Sequence, residues 1–175
     1  MGAAAVRTRL AYHWRPPVLA AGARFISLSR FSAMSTTVLI CPWSEARDRA
    51  RAIRYTVFVE EQGVPVELEW DALDEPSWHA LALADDGTPL ATGRLLPDGH
   101  IGRMAVLKPA RGSGVGALVL AALMRKAEQL GYPELVLNAQ SHAAPFYARV
   151  GFEQVGPEFE EAGIPHVEMR KRLAG

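Results

Sequence analysis

The stretch Arg111-Gly112-Ser113-Gly114-Val115-Gly116 places three glycines in five residues, directly ahead of a long apolar-periodic run. Glycine is the poorest helix former after proline, so such a helix start needs a reason. A helix N-terminus carries unpaired N–H groups and the positive end of the dipole. Glycines let an anion approach those groups closely, and Arg111 adds a cation at the mouth. The stretch therefore reads as a phosphate-binding turn. A connection that binds nothing is the bland alternative, and the entropy cost of three glycines speaks against it. A Walker P-loop is excluded, because Ala117 and Leu118 stand where its lysine and hydroxyl belong. Gly112, Gly114 and Ala117 satisfy the loose dinucleotide spacing, but Lys108–Arg111 separate them from the preceding strand. The next strand also runs through Leu135 and Leu137 into Asn138, with no ribose-binding acid at its end.

Other residues with chemical capacity are scattered. Glu60, Glu61, Glu67, Glu69, Asp71 and Asp74 form an acidic stretch, read either as a solvated loop or as a pocket that attracts an amine. His79, His142 and His166 stand alone, without metal-ligand spacing to a second histidine or cysteine, so no metal is expected. Arg94 and Arg103 face either substrate or solvent. Tyr147 lies between Phe146 and Phe152, where a packed core tyrosine is the plain reading. The single cysteine, Cys41, excludes an internal disulfide and reads as a buried strand residue. No G-x-S-x-G elbow is present, so covalent catalysis finds no support.

The elements that must position these residues follow from periodicity. "TTVLI" (36–40) reads as a strand. Ser44 reads as the N-cap of a helix with Ala46, Ala50, Ile53 and Val57 inward and Arg47, Asp48, Arg51 and Arg54 on other faces. Residues 60–76 read as a loop with a short helical turn. Three runs, 78–84, "TPLATGRLL" and 100–107, are separated by Asp-Gly turns and predict a three-stranded antiparallel meander. A helix follows the glycines with Val115, Leu118, Val119, Ala122, Leu123 and Leu130 on one face, ended by Gly131. Then come a strand (134–139), a short helix (141–150) and the strands "FEQV" and "HVEMRKRL", parted by the loop "GPEFEEAGIP". The order β-α-β-β-β-α-β-α-β-β is a mixed α/β sheet in one domain.

In that setting "RGSGVGALVLAALMRKAEQLG" resembles the acetyl-CoA segment of the GCN5-related (GNAT) N-acetyltransferases. Arg111, Gly114 and Gly116 fill the pattern Arg/Gln-x-x-Gly-x-Gly/Ala. The resemblance runs over residues 34–175, through "IRYTVFVEEQGVP", "FYARVGF" and "GIPHVEM", and is greatest to small ElaA- and YjcF-like members. It implies a GNAT fold, with a central, mostly antiparallel sheet splayed at the cofactor and flanked by helices. It implies acetyl-CoA as cosubstrate, its pyrophosphate on Arg111, Gly112, Ser113, Gly114, Val115 and Gly116. The pantetheine would pair with Met104, Ala105 and Val106, and Asn138 would touch the cofactor or satisfy the splayed backbone. Tyr147 matches the family's general acid, and Glu61, beside Glu60, lies in the acceptor-side region as candidate base. The implied reaction is direct acetyl transfer to the primary amine of a small molecule or peptide in a ternary complex. A non-catalytic acyl-CoA-binding module of the same fold is the alternative, and a homodimer is compatible with either.

Charge bears on partners. All 19 acidic residues lie at or after Glu45, whereas residues 1–33 carry five arginines and no acid. The remaining chain is mildly acidic, which argues against nucleic acid. Residues 1–33 are too interrupted for a membrane span. They read as a disordered extension ahead of a domain at 34–175. They are either transit-like, which implies mitochondria, or upstream of a working start at Met34, which implies the cytoplasm.

Overall fold

The computed structural model describes residues 36–173. The extension and the readings attached to it lie outside the described residues. Strand β1 (Thr36–Pro42) leads into α1 (Trp43–Arg54), which continues as a π-helical turn, Tyr55–Glu61. A short α2 (Val66–Glu69) and a 3-10 turn (Ala72–Asp74) follow. Strands β2 (Trp78–Ala84), β3 (Pro89–Leu95) and β4 (Ile101–Val106) form the expected meander. Then come α3 (Val115–Gln129), β5 (Glu134–Gln140), α4 (Ala144–Ala148), β6 (Glu153–Glu161) and β7 (Ile164–Arg172).

The strands make two antiparallel sheets, β1-β2-β3-β4 and β5-β7-β6. Alternation along β2 explains how the first is covered on both faces. Ala80 and Ala82 join the core cluster of α3, while Leu81 and Leu83 join that of α1. The sheets are joined at a parallel bridge between His100 and Val136, with the Val136 N–H donating to the Gly99 carbonyl at 3.2 Å. Beyond it β4 and β5 are not paired, so the sheet splays.

One irregularity in β4 matters for the site. Thr92 faces Ala105 and Arg94 faces Gly102, so Gly93 stands opposite both Arg103 and Met104. That is a β-bulge, and Arg103 takes φ 51 within it. On the covered face α3 lies close. A Cβ on Gly93 would stand 2.5 Å from Met104 Sδ and 2.9 Å from Leu123 Cδ1. Gly93→Ala should therefore overpack this contact and destabilise the fold by about 1–3 kcal/mol. A denaturant midpoint indistinguishable from wild type would show that Met104 and Leu123 yield freely.

Several sequence expectations are corrected. The helix starts at Trp43 with Pro42 as its cap residue, and no side chain caps it. Pro42 ends the strand and fixes φ, so Ser44 already lies inside the first turn. Arg54 is buried at 1% exposure rather than outward. On α3, Leu120 and Ala127 are buried, whereas Leu130 closes the helix at 40% exposure. The loop "GPEFEEAGIP" is mostly strand. Only Ala162 and Gly163 (φ 52 and 75) lie between β6 and β7, as in a type I′ hairpin. Gly156 and Pro157 are tolerated because β6 is an edge strand whose register shifts between Val155 and Phe159.

Candidate active site

The glycine turn is built as a bare helix end. After the 3-10 turn Lys108–Ala110, Gly112 and Gly114 take φ 78 and 86, and a Cβ on either would point into open space. Gly114 is the cap residue of α3 and no side chain caps the helix. The first-turn N–H groups thus have no capping side chain over them. Ser113 turns away, its hydroxyl donating to the Ala110 carbonyl at 2.7 Å. A groove of about 610 Å³ opens here, lined by Val106, Arg111, Gly114, Gly116, Phe146 and Tyr147 among others. The Leu107 N–H donates to Leu90 on β3, so alternation turns the polar groups of Val106 toward the splay. Arg111 uses that outlet: its Nε donates to the Val106 carbonyl at 3.0 Å, and its Nη2 to Glu61 at 2.6 Å.

A second cleft of about 570 Å³ lies between the α1–α2 region, the β4 bulge and the β6–β7 hairpin tip. It and the groove share Met104 and Tyr147 in their walls. Tyr147 comes from α4 and is held edge-on by Phe146 and Phe152, with ring centroids 4.9 and 6.1 Å away. Burial pushes its phenol up to about 12. It therefore keeps its proton through the neutral range and is an O–H donor at the junction of the two spaces.

The acidic stretch divides: Glu60, Glu61 and Glu67 are exposed, as a solvated loop expects, whereas Glu69, Asp71 and Asp74 turn inward onto arginines. Glu69 and Asp74 are buried and lie among three arginines. Arg54 donates Nε to Glu69, Nη2 to the Glu69 carbonyl at 2.8 Å and Nη1 to Asp74 at 2.7 Å. Arg94 Nη1 donates to Asp71 at 2.6 Å and to Asp74 at 2.8 Å. Arg103 Nη2 donates to Asp71 and to the Leu68 carbonyl, each at 3.1 Å. Burial raises Glu69 above the usual carboxylate range, against the pull of Arg54 and Arg103. Burial opposes ionisation of Asp71 too, but hydrogen bonding and charge from Arg94 hold it low.

Residues 48–173 match the family model described as Acetyltransferase (GNAT) domain. The chain belongs to the GNAT acetyltransferase family. It is 41% identical over 123 residues to the uncharacterized N-acetyltransferase YjcF of Bacillus subtilis, covering 68% of this chain and 87% of YjcF. Its fold is similar to that of Escherichia coli ElaA, with a TM-score of 0.70 and 27% identity over 78% of this chain and 99% of ElaA. An acyl-CoA N-acyltransferase from Pseudomonas aeruginosa is similar at a TM-score of 0.67 and 32% identity, over 79% of this chain and 99% of that one. The protein is thus an acyltransferase with the GNAT fold.

Within this GNAT domain the residues singled out from sequence separate into groups. Met104, Val106, Arg111, Gly112, Gly114, Val115, Gly116 and Tyr147 line one groove. Ala105 is buried at 1% exposure between β3 and α1. Asn138 lines the second cleft instead, donating to Glu161 at 3.2 Å. Glu61 stands on Arg111 at the groove and is not among the residues lining the second cleft. His79 is sealed at 1% exposure beneath Trp43, its Nε2 2.9 Å from the Asp74 carbonyl, and burial keeps it neutral. His142 is exposed, and His166 lies on the second cleft stacked on Phe159. Cys41 is buried in β1, and burial pushes its thiol up to about 11, which makes it a poor nucleophile.

The charged network was missed from sequence. Its signal was an arginine set in the apolar strand "ATGRLL", since a buried strand arginine must find acids. Also missed was a bridge across the second cleft. Gln140 Nε2 donates to Gln62 Oε1 at 2.9 Å, linking the end of the π-turn to the end of β5.

Proposed function

We propose that the protein transfers an acetyl group from acetyl-CoA to a primary amine, by direct attack within a ternary complex. The observation that carries this reading is the meeting of two clefts at Met104 and Tyr147. One is shaped for a phosphate-bearing donor, with a bare helix end, an arginine and exposed strand backbone. The other is walled by separate elements and open to an acceptor. Arg111 and the N–H groups of the first turn of α3 would take the pyrophosphate. The outward backbone of Met104 and Val106 would take the pantetheine like an added strand.

The chemistry then needs few groups. The amine gives up one proton to water in the open cleft and attacks the thioester carbonyl carbon. The N–C bond forms, the C–S bond breaks, and the departing thiolate takes the proton of the Tyr147 hydroxyl. As the intermediate collapses the attacking nitrogen sheds its second proton to the phenolate, so that amide, free thiol and a neutral Tyr147 result.

Gly116 gives a clean test of the donor site. Gly116→Glu puts an acid in the first turn of α3, where the dipole favours it. Its Cβ would meet Val106 Cγ2 at 3.3 Å and ask it to give slightly. The variant should stay folded yet bind acetyl-CoA at least about 100-fold more weakly by calorimetry, because the added charge faces the pyrophosphate. Release of coenzyme A with a panel of primary amines tests transfer by the wild type. Binding without turnover on every amine would favour the non-catalytic module, and absence of binding would remove both readings.

A further inference from the structure

The second cleft has a wall that is docked by charge rather than by an apolar core. The backbone hydrogen bonds within residues 63–77 are local: Gly63 to Val59, Val64 to Phe58, Leu68 to Pro65 and Ser77 to Asp74. Val66, Leu68 and Leu73 are exposed, at 42%, 56% and 47%. The segment is joined to the body of the domain by Arg54, Arg94 and Arg103, by the contact of His79 with the Asp74 carbonyl, and by stacking of Arg51 and Arg54 on Trp70.

Arg103 differs from the other arginines in its backbone. It holds φ 51 in the β4 bulge. Residues with a Cβ adopt that region reluctantly, and glycine adopts it without strain. A glycine stands one position earlier, at Gly102, and is not the residue used. Arginine at 103 brings a side chain that reaches three residues of the wall. Nη2 meets the Leu68 carbonyl and Asp71, and Nε lies 3.3 Å from Glu69 Oε2, outside hydrogen-bonding geometry. The next residue along the strand is Met104, where the two clefts meet.

We propose that Arg103 is a positioning residue that fixes the 66–74 wall of the acceptor cleft against the Met104 bulge, and so sets how the acceptor is held. The idea rests on the assignment of that cleft to the acceptor. Its reach is restricted to one substrate. Arg103 is not among the residues lining the donor groove. Its loss should leave acetyl-CoA binding alone while loosening the place where the amine waits.

Arg103→Gly is the natural test, because glycine accepts the bulge backbone and only the side-chain links are lost. Amide hydrogen exchange in 66–74 should become at least about tenfold faster, with β2 and β3 unchanged. Acetyl-CoA Kd should stay within about twofold, while the acceptor KM rises about tenfold or more. Arg103→Lys, which restores one charge but not the fork, should recover part of the KM. Unchanged exchange in 66–74 would overturn the proposal, whatever the turnover. So would an acetyl-CoA Kd weakened as much as the acceptor KM, since the residue would then be serving the whole fold. The exchange measurement needs no acceptor, so a wild type that turns over no amine counts against the acetyltransferase reading and not against the role of Arg103 in fixing the 66–74 wall.

Discussion

Tyr147→Phe should lower kcat by about 10²-fold or more, the range for loss of a positioned proton donor, while acetyl-CoA Kd stays near wild type. The substitution removes one oxygen and keeps the ring, so the edge-on contacts with Phe146 and Phe152 remain. What is lost is the O–H at the place where groove and cleft meet. Steady-state kinetics with calorimetric Kd would separate the two effects. The pH dependence carries its own sign. With the phenol pushed up to about 12 by burial, the acid form persists across the neutral and mildly alkaline range. Wild-type kcat should not decline between about pH 7 and 9 through loss of this proton. Stability behaves differently. The unfolded tyrosine ionises near its ordinary value of about 10, so the folded state loses stability as pH rises through that point. A kcat unchanged in Tyr147→Phe would move the acid role to another group.

Asp74→Ala should be the most damaging single change to the fold. Asp74 bonds Arg54 at 2.7 Å and Arg94 at 2.8 Å, and both arginines are nearly sealed from water. Removing one partner of a buried ion pair leaves uncompensated charge and costs about 3–5 kcal/mol. That is a large share of the 5–15 kcal/mol that holds a typical domain together. Urea unfolding should show the midpoint collapse, and expression of folded protein should fall with it. A loss below about 1 kcal/mol would mean that Glu69 and Asp71 rearrange to neutralise both arginines. The network is not on that account a source of stability over an apolar packing of equal volume, since desolvation offsets most of its attraction. Its fixed geometry is better read as a device for holding one particular arrangement of chain.

Local patterns carried most of the architecture. Asp86-Gly87 and Asp98-Gly99 located the meander because turn chemistry acts over a few residues. The alternation "WHALALA" located a strand with two covered faces for the same reason. The glycine turn was legible as a bare helix end because its geometry is set by adjacent residues. The charged network was not, since Arg54, Glu69, Asp74 and Arg94 come from four elements and their pairing exists only after folding. Arg54 illustrates the limit: helical spacing put it on an outer face, and a distant loop supplied the acids that let it be buried. The β6–β7 hairpin was hidden for the opposite reason. Gly156 and Pro157 are strong local breakers, but an edge strand needs hydrogen bonds on one side alone. Glu61 shows the same gap at the site, because its contact with Arg111 spans 50 residues of sequence.

That contact alters what kind of receptor the groove is at rest. With Glu61 and the Val106 carbonyl already on it, Arg111 carries its own tethered counter-ion. A loose phosphate from solution would merely swap one anion for another and gain little. The proposed donor, with a long arm to lay along β4, would gain something the swap does not. On the proposed assignment of the groove, the resting pair would favour a molecule that brings a handle as well as a charge over a small anion that brings a charge alone.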